Sequence, residues 1–225
     1  MMVLGVATRN WSGSQLCVES WQKTASEKYP ICVAENMTIP HAFQHIYENT
    51  SQPILAHIHD DVYITERNWD MRVLLEFEKP DVGLVGFAGA LGHCLPNLYK
   101  EPFKIANMIR RDFLSNLRNA EDHGHRFLWE TDVAVLDGLA LFVRRSVIDA
   151  WGGWPVDKPY GYWMYAEALC CEVRRQQMRI RLVGVQCDHL GGKTVSMVPL
   201  TDDYERAHRF LYDNNRDVLP YHVGE

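Results

Sequence analysis

Between Ile54 and Ile64 the chain reads ILAHIHDDVYI. His57, His59, Asp60 and Asp61 crowd the end of an apolar run. A buried strand avoids unpaired charge, because desolvating it is very costly. The cluster therefore marks a strand end where imidazoles and carboxylates have a task. Mg²⁺ and Mn²⁺ prefer oxygen ligands and commonly take only one or two from the protein, with phosphate and water supplying the rest. Mn²⁺ also accepts an imidazole. Far down the chain, a second strand exit in the segment CDHLGG supplies His189. Asp61 and His189 are thus expected to hold a divalent cation that also carries a diphosphate. Lys193, in the glycine loop that follows, would add a second positive group. The plain alternative is a solvated pair of turn carboxylates, since Asp favours turns.

The elements that must position these residues alternate in type. Residues 3–8, VLGVAT, form a short apolar strand, and a helix is expected over 15–27, with Ser12 or Ser14 as its cap and Leu16 and Trp21 facing the core. A strand over 29–36, a short helix over 39–50 and the His-Asp-Asp strand follow. Over 66–79 helical spacing groups Trp69, Val73 and Phe77, with Leu74 alongside. VGLVGFAGA, 82–90, reads as a strand running into a glycine-bearing turn. Such alternation predicts an α/β domain with a mostly parallel sheet. Sheets of this kind bind ligands at the carboxyl ends of their strands. Thr8 and Arg9, Glu35 and Asn36, and His59 to Asp61 all fall at such ends.

Residues 91–131 mix charge, aromatics and histidine without a period, and read as an excursion over the sheet face. Strand and short helix return over 131–155, followed by a helix over 162–178, a strand running into a glycine-rich loop over 179–194, and a last helix over 201–220. The 225 residues suit one domain, with its nucleotide-binding part at about 1–90 and its acceptor-binding part at about 91–195. Net charge is −6, which argues against a general nucleic-acid binder. No apolar run reaches the roughly 18 residues of a membrane span. The N-terminus has no basic region or cleavage signal. The six cysteines form no CxxC pair and fit reduced, buried thiols. A cytoplasmic protein is the expectation, and docking onto another copy of the chain is open.

Taken in order, these segments resemble the glycosyltransferases of GT-A fold, especially the large family 2 type. An apolar strand ends in a DxD-like motif, here HIHDDV; a helix and the VGLVGFAGA strand follow. LDGLALFVRRSVIDAWGGWP is similar to that family's Asp-Gly, Arg-Arg, Gly-Gly segment. YAEALCCEVRRQQMRIRLVGVQCDHLGG looks like its acidic helix, arginine turn, strand and final histidine. The resemblance covers most of residues 3–195, with a short segment at 37–52 that makes this a compact version.

The resemblance implies a sugar-nucleotide donor, commonly UDP-linked, a saccharide or other hydroxyl acceptor, and Mn²⁺ or Mg²⁺. It puts Asp61 and His189 on the metal and Asp60 against the ribose or donor sugar. Thr8, Arg9 and Glu35 lie where the family holds base and ribose. His59 takes the motif's first acidic position, a departure. The family's acidic pair on the helix after Gly-Gly is reduced here to Glu167, flanked by alanines, which makes Glu167 the expected base and Asp137 the second candidate. Tyr160, Tyr162, Trp163, Tyr165 and Trp154 could stack on sugars or pack the core.

Two other readings compete. HIHDD also spells H-x-H-x-D, the zinc cluster of metallo-β-lactamase-type hydrolases, although Val62 stands where that motif continues with His. In the transferase reading, His57 is only a strand residue satisfied by its neighbours. The third reading is a relative that binds nucleotide or sugar without turnover.

Overall fold

The computed structural model describes residues 1–93, 110–118, 125–190 and 202–224. Lys193, Cys94 and His123 lie outside them. The first half runs β1 (Met2–Thr8), α1 (Trp11–Thr24), β2 (Ile31–Glu35), α2 (Ile39–Glu48), β3 (Ile54–His59), β4 (Val62–Ile64), α3 (Trp69–Phe77), β5 (Val82–Gly86) and β6 (Ala88–His93). Next come β7 (Arg110–Ser115), β8 (His125–Arg126), β9 (Glu130–Asp132), β10 (Val135–Leu136), β11 (Ala140–Arg144) and α4 (Arg145–Trp151). The described chain closes with α5 (Tyr165–Arg175), β12 (Arg179–Val183), β13 (Cys187–His189), α6 (Asp202–Asp213) and β14 (Tyr221–His222).

The central sheet has seven strands in the order β2-β1-β3-β11-β5-β12-β9. β1 runs parallel to both β2 and β3, and β12 runs parallel to β5. β11 is antiparallel to β3 and β5, and β9 is antiparallel to β12. The expected mostly parallel α/β sheet is present, with β11 inserted against the grain. Register then aligns the polar strand ends: Thr8 pairs with Glu35, and Ala7 pairs with His59.

Side chains alternate across this sheet, as strand geometry requires. Met2, Leu4, Val6, Ile54, Ala56 and Ile58 face α1 and α3. Val3, Ala7 and Leu55 face the opposite core, with Phe43 and Ile46 of α2. Gly5 lets α2 approach closely, since a Cβ there would meet Ile46 at 2.7 Å. On the first face Trp21 packs edge-on to Trp69 at 4.9 Å and stacks on Phe87 at 5.7 Å. Each such aromatic pair adds about 0.5–1.5 kcal/mol beyond its burial.

Several boundaries differ from the sequence reading. α1 starts at Trp11 because Asn10 caps it, its side chain accepting from the Gly13 N–H. The buried face is then Ser14, Cys17, Val18 and Trp21, which leaves Leu16 67% exposed rather than in the core. The 82–90 run breaks at Phe87: β5 stays in the central sheet, while β6 joins a second sheet of order β10-β6-β7-β8, with β14 also on β6. The 91–131 excursion thus supplies β7 and β8 to that sheet and β9 to the edge of the central one. α5 is shorter than 162–178, because Tyr160 accepts from the Trp163 N–H in a turn before Tyr165. α6 stops at Asp213 rather than 220; Asn214 and Asn215 fold their side-chain amides back onto the Phe210 and Leu211 carbonyls. Among the described residues, no helix is long and apolar enough to cross a membrane.

Asp70 ties α3 to the segment between α1 and β2. This buried carboxylate accepts from the Ser26 N–H (2.8 Å), the Ser26 hydroxyl (2.5 Å) and the Tyr29 hydroxyl (2.7 Å). Burial alone would raise its pKa, but these donors hold it below the ordinary 3.8. A carboxylate depressed in the folded state stabilises above its ordinary pKa, and that stability is lost as pH falls through the folded value. Asp70→Asn should therefore cost about 1–3 kcal/mol at neutral pH. Urea unfolding at a series of pH values checks this, with the two proteins converging as pH falls through the folded value of Asp70.

Candidate metal and donor site

The site begins where β3 ends. His59, Asp60 and Asp61 form the turn into β4, and α1 grips that turn from below. The Trp21 indole N–H donates to the Val62 carbonyl at 2.7 Å, and the Cys17 thiol donates to the same oxygen at 3.1 Å. Burial, foremost, pushes the Cys17 thiol up to about 12, so it serves as packing rather than as a nucleophile.

β4 then pairs antiparallel with β13, His189 opposite Val62. The Leu190 N–H donates to the Asp61 carbonyl at 2.9 Å and locks that register. The pairing sets His189 Nε2 3.4 Å from an Asp61 carboxylate oxygen. Potential ligand atoms of His59, Asp61 and His189 all lie within 4.8 Å of one another. Two imidazoles and a carboxylate at that spacing fit one divalent transition-metal ion.

The electrostatics agree with that grouping. Burial would raise the Asp61 pKa, but the hydrogen bond and charge of His189, with His59 behind, hold it below the usual carboxylate value. Burial lowers His59, against the pull of Asp61 and Asp137. Burial would lower His189 as well, yet the Asp61 hydrogen bond and charge carry it above the usual imidazole value, with Asp137 adding. Both imidazoles therefore feel Asp137. Its placement has a backbone cause: the His59 N–H donates to the Leu139 carbonyl, and the Leu139 N–H donates to the Asp137 carboxylate.

The two adjacent carboxylates diverge. Asp61 joins the histidines. Asp60 turns to the α1 side and accepts from the Thr8 hydroxyl at 2.5 Å and the Ser14 hydroxyl at 3.1 Å. Glu35 accepts from the Trp11 N–H at 3.0 Å, at the first turn of α1. Arg9 is exposed and lies over the Tyr162 ring, 5.2 Å from its centroid. Thr8, Arg9, Glu35 and Asp60 thus border one end of the sheet beside the cluster.

Glu167 is placed differently. It is 3% exposed in α5, and its charge acts on Cys170 and Cys171 of the same helix. From α5, Tyr165 reaches the cluster, its hydroxyl 2.6 Å from His59 Nε2. Of the aromatic set, Trp154 and Tyr160 are core residues, packed against Phe43 and Phe210. Trp163 lies edge-on to Tyr204. The signal for Tyr165 was its place two residues before Glu167, on another side of the same first turn.

His57 is also a core residue, and hydrogen bonds do not satisfy it. Its ring is fully buried, stacked on Phe43 at 4.1 Å and edge-on to Trp154 at 5.1 Å, with no hydrogen-bond partner at either nitrogen. It shares a face of β3 with His59 but lies deeper along the strand, and among the described residues the grouped ligand atoms are those of His59, Asp61 and His189, without His57.

The fold these elements make is that of GT-A glycosyltransferases. A mannosyltransferase from Pyrobaculum calidifontis, solved with GDP-Man and Mn²⁺, superposes with a TM-score of 0.53 at 11% identity, over 97% of this chain and 71% of that one. The A197 protein of STIV aligns with a TM-score of 0.49 at 14% identity, over 86% of this chain and 87% of that one. Comparison with curated proteins finds no match. The profile of a glycosyltransferase-like family matches residues 18–212, and the chain belongs to that family.

His57→Phe removes two unsatisfied nitrogens from the core while keeping a ring on Phe43. It is expected to leave metal affinity unchanged and to match or exceed the wild-type melting temperature, as replacing unsatisfied polar groups by apolar ones allows. Isothermal titration with Mn²⁺ and with Zn²⁺, beside a thermal melt, checks both. Loss of Zn²⁺ binding in His57→Phe would revive the hydrolase reading.

Proposed function

We propose that this protein transfers a sugar from a nucleoside-diphosphate donor to an acceptor hydroxyl, with a divalent cation at the donor diphosphate. The single observation that carries the reading is the meeting of His59, Asp61 and His189 at the carboxyl end of the sheet. Ligands of α/β sheets bind at that end. Family membership supports the reaction class, and the Pyrobaculum fold neighbour, which binds GDP-Man with Mn²⁺, supports the donor class. UDP is the nucleotide suggested by resemblance, and GDP is the one in that neighbour. Mn²⁺ or Mg²⁺ is the proposed cation.

Each residue then has a task. Asp61 and His189 hold the cation, which supplies Lewis-acid stabilisation of the charge that grows on the leaving diphosphate. Asp60, fixed by Thr8 and Ser14, faces the ribose or donor sugar across the β1–β3 edge. Arg9 and Glu35 border the base. Lys193 adds positive charge to the phosphates. Asp137 is one candidate base for the acceptor proton: the Leu139 N–H holds its carboxylate, and the Leu139 carbonyl takes the His59 N–H, which sets it beside the cluster. Glu167, buried in the first turn of α5, is the other candidate.

A ligand that binds only the folded state raises its melting temperature, by about 2.7 kcal/mol of added stability at a hundred times Kd. UDP or GDP should stabilise the protein with Mn²⁺ or Mg²⁺ and not with EDTA. Asp61→Ala should abolish that shift. Equal stabilisation by a diphosphate in EDTA would contradict metal-dependent donor binding.

Asp137→Asn separates binding from chemistry. It should keep the diphosphate shift and lose about 10²–10⁴-fold in turnover of the donor sugar, the usual worth of a general base. Release of nucleoside diphosphate from UDP- and GDP-sugars, with acceptor or by slow hydrolysis, is the assay. Full turnover in Asp137→Asn with loss in Glu167→Gln would return the base role to Glu167.

A further inference from the structure

His59 occupies a position where a carboxylate would make the site harder. Mg²⁺ dehydrates reluctantly and is usually held through one or two carboxylates and substrate phosphate. The cluster here offers two imidazole rings and one carboxylate. Imidazole suits first-row transition ions, whereas carboxylate, carbonyl and water suit Mg²⁺.

His59 also has the support that a ligating imidazole needs. Such a ring is nearly always held at its other nitrogen by a further partner, which fixes tautomer and orientation. Tyr165 provides that partner, its hydroxyl 2.6 Å from Nε2. The tyrosine is itself immobilised. It is 8% exposed, and its ring lies edge-on to Phe43 at 5.6 Å. Gly138 leaves room for it, since a Cβ there would overlap the phenol oxygen.

We infer that His59 is a third metal ligand, oriented by Tyr165, and that the site selects Mn²⁺ or a later first-row divalent ion over Mg²⁺. The inference rests on the metal-dependent donor site proposed above and narrows it. Tyr165 acts as a positioning residue: its hydroxyl takes the Nε2–H of His59 and leaves the Nδ1 lone pair to the cation.

The test uses the full chain, stripped with EDTA and titrated with Mn²⁺. Free Mn²⁺ is read by electron paramagnetic resonance, alone and with Mg²⁺ as competitor. Wild type, His59→Asp, Tyr165→Phe and Asp61→Ala are compared, with circular dichroism and a melt to establish folding. In the wild type, about a hundredfold excess of Mg²⁺ should displace little Mn²⁺, as the imidazole preference requires. His59→Asp should let Mg²⁺ compete at least tenfold better. Tyr165→Phe should weaken Mn²⁺ about 10–100-fold, the usual effect of losing such a partner. Visible absorption of bound Co²⁺ should change in His59→Asp, which a merely structural histidine would not cause. Unchanged Mg²⁺ competition and an unchanged Co²⁺ spectrum in a folded His59→Asp protein would overturn the inference and leave Asp61 and His189 standing as the site. No Mn²⁺ binding by the wild type, even with a nucleoside diphosphate, would overturn the metal-dependent reading itself.

Discussion

The short ribbon of β4 and β13 is the contact on which the site depends. It joins residues more than a hundred positions apart in the chain, His189 facing Val62 and the Leu190 N–H bonded to the Asp61 carbonyl. A one-residue slip in such a pair turns every side chain to the other face. His189 would then leave Asp61, and the grouping with His59 would be lost. The turn that feeds the ribbon is held independently, by Trp21 and Cys17 of α1 on the Val62 carbonyl. Packing of the Trp21, Trp69 and Phe87 rings therefore acts on the site: it fixes the floor beneath the His59, Asp61 and His189 cluster.

Two adjacent aspartates show how a backbone turn divides labour. A strand sends neighbouring side chains to opposite faces, and the turn after His59 continues that separation. Asp61 falls among imidazoles, while Asp60 falls among the hydroxyls of Thr8 and Ser14. His57 and His59 share a face of β3, and their place along the strand separates their roles. His57 is trapped under Phe43, in an apolar setting where burial pushes its pKa down to about 3 and keeps it neutral. His59, at the rim, meets Asp61, His189 and Tyr165.

Much of this was legible in the residues. Apolar runs with polar exits locate β1, β2 and β3, and two strand exits put Asp61 and His189 forward as a pair; the break of the 179–194 run into β12 and β13 was not legible. The phase of α1 was not legible: the Asn10 cap sets it, and Leu16 lies outside the resulting buried face. The second sheet was hidden too, because β6, β7 and β10 pair non-locally. Tyr165 was named as an aromatic that could stack on sugar. Its hydroxyl contact with His59 depends on the unpredictable approach of α5 to β3, made through the gap at Gly138. Glu167 was named from motif order and as the only acid in the first turns of its helix, and it is buried in α5.

The central claim is that one cation sits at the carboxyl end of the sheet and carries the donor diphosphate. Anomalous diffraction at the manganese edge, from crystals grown with Mn²⁺ and UDP or GDP, tests it most directly. The account predicts one peak bounded by Asp61, His189 and His59, with diphosphate oxygens completing its shell. A well-ordered nucleotide at the strand ends with no peak beside Asp61, or a peak elsewhere in the molecule, would contradict it.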